Sequence, residues 1–300
     1  VNDTISFTTG VQADHGIEIS DKFNSTTGLW EANQHTDNTK GTDITLTKLY
    51  FTAKTDAATV MIGKQKQPTP FMDDERGDGV VALIPAGPVT IAAGHFTGLN
   101  GASAKDVSAA AIIGSAGPVN GSLWYADASN VANGYSLNLS GKVGPVSIDF
   151  RHTDMAFDAV ATGDSSLTKV VVSGKADVVN LVAAYATTND STSGVATTRG
   201  GINFEKTDSD AKTNFALDIL DLDTLDDADA ILLGASMSFG KTTIGANYLM
   251  VDANNAAEAT ELDISVKYAM SKNFSVTGLY SDANVDYDAA GTPDADDTRM

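Results

Sequence analysis

A chain of 300 residues with 39 Asp and Glu against 19 Lys and Arg carries a formal net charge of -20, which excludes nucleic acid as a partner and disfavours anionic headgroups. It has no Cys, so disulfide frameworks and thiolate metal centres are excluded. No run approaches the roughly 18 apolar residues of a spanning helix; "VVALI" at Val80 to Ile84 is typical, and a helical membrane protein is excluded.

What the chain does have is period-two alternation, the mark of strands whose successive side chains point to opposite faces. In chain order it predicts strands over Thr4 to Ala13, Gly16 to Phe23, Ile44 to Lys54, Ala58 to Gln65, Gly79 to Ala86 and Val89 to Gly98. Then follow Asp106 to Ser115, Val119 to Ala128, Gly134 to Val143, Val146 to His152, Leu167 to Lys175 and Val179 to Thr188. Thr198 to Thr207, Lys212 to Leu220, Ala230 to Phe239, Thr242 to Val251, Glu261 to Ala269 and Asn273 to Ser281 complete the set. That makes about eighteen segments, each near the length of a tilted membrane strand.

Short and long connections alternate along this series. "GP" at Gly87, "AGP" at Ala116, "GP" at Gly144 and "GK" at Gly240 are short; Asn24 to Asp43, Lys66 to Asp78, Thr153 to Ser166 and Asp221 to Asp229 are long. All short turns then belong to one end of the sheet. That segregation is expected of an all-β, antiparallel, up-and-down transmembrane β-barrel with short periplasmic turns and long external loops. If Asp14-His15 is a short turn, the first strand starts at the long-loop end. The last runs into the acidic stretch Asp282 to Asp297. The chain, residues 1–300, therefore reads as a single barrel domain lacking its first and last strands, with roughly 16 to 20 strands when intact.

In such a barrel the apolar parity faces lipid and the polar parity faces water. Leu262, Ile264, Val266 and Tyr268 oppose Asp263, Ser265 and Lys267; Tyr135, Leu137 and Leu139 oppose Ser136, Asn138 and Ser140. Tyr125, Tyr135, Tyr185, Tyr248, Tyr268, Tyr280, Phe204 and Phe239 fall near segment ends, where aromatic girdles sit.

At "LTKLYFTAKTDAATVMIGKQKQPTPFMDDERGDGVVAL", Leu46 to Leu83, the sequence resembles the trimeric Gram-negative porins, most closely the major outer membrane porins of Campylobacter-type bacteria. "DILDLDTLDDADAILLGASMSFGKTTIGANY", Asp218 to Tyr248, resembles late hairpins of other general porins. The resemblance implies a homotrimer of water-filled barrels in the bacterial outer membrane, among outer-membrane lipid and lipopolysaccharide. It also implies a third external loop folded into each pore. Here that loop is Lys66 to Asp78, placing Asp73, Asp74, Glu75, Arg76 and Asp78 at the constriction. Lys22, Lys48, Lys142, Asp149, Arg151, Arg199 and Lys267 would line the facing wall, and the acidic loops predict cation preference. The plain alternative for these charges is solvation without special pairing.

No cofactor is required. The oxygen-rich stretch "DLDTLDDAD", with Asp221, Asp223, Asp226 and Asp227, is the candidate Ca2+ site, against a simply solvated acidic loop. His15, His35, His95 and His152 show no metal spacing, and the hydrolase and nucleotide-binding signatures are missing, so catalysis is not expected. The function expected is passive diffusion of ions and small hydrophilic solutes. A substrate-selective channel is the alternative within the class, and a secreted or surface-layer β protein or adhesin the alternative outside it.

Overall fold

The computed structural model of the chain describes residues 4–14, 22–24, 29–31, 43–67, 69–71, 76–97, 106–158, 164–188, 227–253, 257–286 and 295–299. Regular structure among them is all strand. The elements are β1 (Ile5–Asp14), β2 (Lys22–Asn24), β3 (Leu29–Glu31), β4 (Asp43–Lys54), β5 (Thr59–Lys66), β6 (Arg76–Ala86), β7 (Val89–Thr97), β8 (Asp106–Ala116) and β9 (Val119–Ala128). They continue with β10 (Ala132–Val143), β11 (Val146–Phe157), β12 (Ser165–Ala176), β13 (Val179–Thr188), β14 (Ala228–Phe239), β15 (Thr242–Ala253), β16 (Ala257–Ser271), β17 (Phe274–Asp286) and β18 (Ala295–Arg299). One 16-stranded sheet takes β1, then β4 to β18 in consecutive order, and β2 with β3 forms a separate two-stranded ribbon. Antiparallel neighbours in chain order are the up-and-down wall of a β-barrel.

The tight turns follow from their residues. Gly87, Gly117, Gly144 and Gly240 open the turns after β6, β8, β10 and β14 with φ of 66°, 60°, 60° and 57°. A left-handed first residue suits the right-handed twist of a hairpin. In the first three turns Pro88, Pro118 and Pro145 follow, their rings fixing the next φ.

Two stretches depart from the sequence reading. β1 pairs directly with β4, Ile5 opposite Ala53 and Asp14 opposite Asp43, leaving no place between them for a Gly16 to Phe23 wall strand; Lys22 and Phe23 lie in β2, and residues 16–21 lie outside the described residues. β1 therefore runs toward the long-connection end, and its start lies at the short-turn end. Likewise β13 pairs directly with β14, Ala186 opposite Ala230, leaving no place between them for Thr198 to Thr207 and Lys212 to Leu220, which lie outside the described residues. At the other edge β17 continues to Asp286, and β18 returns beside it with Ser281 opposite Arg299, where the sequence predicts one acidic loop.

Toward the long connections one parity of the wall is buried. Phe96, Leu167 and Leu249 are within 2% of full burial, and small residues such as Ala186, Ala228 and Ala230 fill the gaps. The opposite parity displays large apolar side chains: Leu139, Leu181, Leu233 and Ile264 are each more than 40% exposed. So extensive an exposed apolar face marks a surface covered by lipid or a partner.

Candidate functional site

The inner face is built from the parity that opposes those exposed residues. On β10, β11 and β12, Ser136, Asn138, Ser140 and Lys142 lie across from Thr153, Arg151, Asp149 and Ser147, and Arg151 lies across from Lys169. Ser136 Oγ and Thr153 Oγ1 share a buried hydrogen bond of 2.9 Å. Asn138 Nδ2 donates to Asp149 Oδ2 at 3.4 Å. Lys169 and Glu261, on β12 and β16, are both buried inner-face charges. Asp263 Oδ1 and Ser281 Oγ, aligned across β16 and β17, are buried without a hydrogen-bond partner.

Of the predicted wall residues, Lys142, Asp149, Arg151 and Lys267 fall on the inner parity, as does Lys48, which lies opposite Gly10. Lys22 does not belong with them. It sits in β2, outside the wall sheet, because the strand assigned to it from alternation has no partner there. Arg199 lies outside the described residues.

Where it is described, at Gln67 and residues 69–71, the connection from β5 to β6 turns inward. Gln65, Gln67 and Phe71 are buried, and Phe71 joins one apolar cluster with Ala126, Leu167, Leu249 and Val251 of the inner wall. With β1 reversed, this is the second long connection within residues 1–300, whereas the sequence reading counts a missing first strand and makes it the third. Asp73, Asp74 and Glu75 lie outside the described residues. Arg76 and Asp78 are not loop residues: β6 begins at Arg76, and period two puts both on the outward parity with Val80 and Ile84. Asp78 is aligned with Lys64 and Thr97, and its backbone oxygen accepts from Thr97 Oγ1 at 3.3 Å.

Near the long-connection end the outward face turns polar. His152 Nδ1 lies 2.7 Å from Thr168 Oγ1, with Tyr135 stacked at a tilt 5.8 Å from the His152 ring. Tyr185 donates to Asp229 Oδ1 at 2.5 Å. Asp229, Asp252, Glu258 and Asp286 form one register row across β14, β15, β16 and β17. Like charges so placed repel. Tyr125, Tyr135 and Tyr185 mark this end, and Phe239 and Tyr268 the short-turn end; Phe204 lies outside the described residues. Of the Ca2+ candidates, Asp221, Asp223 and Asp226 lie outside the described residues, and Asp227 precedes β14 with φ of 45°. Among the described residues no three acidic or His side chains gather as metal ligands.

A sequence profile of the Gram-negative porins matches residues 2–288. Among solved structures, OccK8 (OprE) of Pseudomonas aeruginosa superposes with a TM-score of 0.61 at 13% identity, over 95% of this chain and 85% of that one. OccK5 (OpdH) of the same organism gives 0.59 at 14%, over 86% and 80%. OpdK, solved with vanillate, gives 0.58 at 12%, over 83% and 76%. No curated protein sequence matches.

Proposed function

Because the chain belongs to the Gram-negative porin family, an outer-membrane channel rather than an enzyme, we propose that it is a homotrimeric general diffusion porin passing ions and small hydrophilic solutes. The observation that carries this reading is the sorting of faces on single strands. On β10 and β11, Leu139 and Ile148 point outward while Asn138, Lys142, Asp149 and Arg151 point inward, as a water-filled lumen in lipid requires. Phe71 supports a narrowing of the lumen by the β5 to β6 connection, which would carry Asp73, Asp74 and Glu75 toward the cations of the facing wall.

Carboxylates at the entrance raise the local concentration of cations, so the pore prefers them. Planar bilayers under a salt gradient test this: the reversal potential should report cation preference, and a clear anion preference would overturn it. A second reading is favoured by one observation. The described inner-face charges are mainly positive, with Lys48, Lys54, Lys142, Arg151, Lys169, Lys175 and Lys267 against Asp149, Glu261 and Asp263. That balance suits a channel selective for organic anions, of which the vanillate found with OpdK is an example. Current block by aromatic carboxylates, with an anion-directed reversal potential, would favour it. Structural Ca2+ at Asp221, Asp223, Asp226 and Asp227 belongs to the same proposal; an unchanged melting temperature on adding EDTA would remove it.

A further inference from the structure

A cavity of about 360 Å3 opens on the inward face of β9 to β12, at their short-turn end. That is near the lower limit of ligand pockets, ~300–1,000 Å3, a size for one small solute. Register resolves its lining into two rows. One runs Asn120, Ser140, Asp149 and Val171 across the four strands; the other, nearer the short turns, runs Lys142, Ser147 and Ser173 across β10, β11 and β12. Residues two apart on a strand set the rows about 7 Å from each other. The row nearer the turns therefore offers an ammonium and two hydroxyls, and the other a carboxylate, a hydroxyl and an amide.

The two charges are held apart. Lys142 lies directly opposite Ser147, which makes Asp149 its diagonal neighbour, at about 7–8 Å between the backbones. Among the described residues Lys142 has no ion-pair or hydrogen-bond partner. Asp149 Oδ2 accepts from Asn138 Nδ2 at 3.4 Å, and Oδ1 is without a partner among the described residues.

Charge decides what fits between them. A solute carrying only a carboxylate meets Asp149. One carrying only an ammonium meets Lys142, with Arg151 and Lys175 flanking the cavity on the inward parity of β11 and β12. Like charges brought together reject a wrong solute. A neutral polyol leaves both ions without a counter-charge. A molecule bearing both charges on neighbouring atoms answers both rows, its carboxylate toward Lys142, Ser147 and Ser173 and its ammonium toward Asp149, Ser140 and the Asn120 side-chain oxygen. The assignment follows from an ammonium that only donates, a carboxylate that only accepts, and hydroxyls that do either.

We propose that this cavity is a subsite for zwitterionic α-amino acids at the short-turn mouth of the lumen, with Lys142 and Asp149 selecting them. The proposal rests on the porin reading, which makes the inward face a wetted path. Saturation-transfer NMR of the protein folded in detergent micelles, titrated at neutral pH with L-alanine, propionate, ethylamine and glycerol, tests it. Wild type should bind alanine about fivefold more tightly than each of the others, the upper end for an exposed ion pair. Lys142→Gln should weaken alanine by a similar factor, and Asp149→Asn should abolish the preference over propionate. Wild type that shows no saturable alanine binding, or that binds propionate, ethylamine or glycerol as tightly, overturns the proposal. So does a Lys142→Gln or Asp149→Asn protein that behaves as wild type. Heat-modifiable gel mobility reports folding. If a charge variant fails it, the wild-type preferences still decide, and Ser173→Tyr, which fills the cavity from β12, should displace alanine; undiminished binding there overturns the proposal equally. Bilayer conductance separates the two readings: protein that conducts ions but binds no alanine keeps the channel and loses the subsite, whereas protein that selects alanine but conducts no ions loses the channel and keeps the subsite.

Discussion

Ile264 and Ser265 are adjacent in the middle of β16, and a Lys at either one tests which face meets lipid. Ile264 is the central residue of the strand, 41% exposed, and aligned with Ala246 and Tyr280. In Ile264→Lys the ammonium has only hydrocarbon around it and is too far from either interface to snorkel freely. A cation at the lipid-facing midplane of a barrel costs roughly 2–4 kcal/mol, and with tenfold per ~1.4 kcal/mol the folding equilibrium falls by about 30-fold to several hundred-fold. Ser265 points inward, two residues before Lys267, and lies across from Gly245, which leaves room for a longer side chain. Ser265→Lys should stay within about 0.5 kcal/mol of wild type, as at an ordinary wetted surface. Folding into vesicles across a urea series, scored by heat-modifiable mobility, gives both equilibria. Equal costs at the two positions, or a greater cost at Ser265, would refute the assignment of faces.

Thr153→Val strands the buried Ser136 hydroxyl, its 2.9 Å partner, and should cost about 1–3 kcal/mol; adding Ser136→Ala should recover part of that in a double-mutant cycle. Ser281→Ala removes a buried hydroxyl that has no partner, so stability should rise by about 1 kcal/mol, and a loss on urea titration would mean that the hydroxyl is bonded after all. Gly144→Ala places a Cβ on a residue with φ of 60°, costing about 1–2 kcal/mol without altering conductance. Phe71→Ala frees the β5 to β6 connection from the inner-wall cluster, and single-channel conductance should increase; an unchanged conductance would put that connection outside the ion path.

Local pattern carries much of the wall. The hairpin around Gly144-Pro145 is legible because alternation and the turn both lie within a short window, and β10 and β11 differ from expectation only where Ala132, Asn133 and Thr153 to Phe157 prolong them beyond the alternating stretch. Pairing over a long separation is not a local property. Gly16 to Phe23 alternates as well as many wall strands do, yet nothing in those residues reveals that Asp14 lies opposite Asp43, and the misplacement of Lys22 follows from that. The acidic neighbours of Asp78 draw it into the loop, although alternation from Val80 and Ile84 already puts it outward. Lys169 is hidden for the opposite reason: Leu167 and Val171 share its inner parity and mask the contrast between faces.

The consecutive strand order also governs how the wall can assemble. Most of its pairings join strands separated by a handful of residues, so the ladder can close hairpin by hairpin with little search, as in folds of low contact order. Two pairings differ, β1 with β4 across residues 15–42 and β13 with β14 across residues 189–227. Closing loops of that size costs roughly 2–3 kcal/mol more chain entropy than a two-residue turn. These two seams divide the zippering of the sheet into stages: the continuous run from β4 to β13 can form as a unit, β1 joins across the first seam, and the block from β14 onward docks across the second.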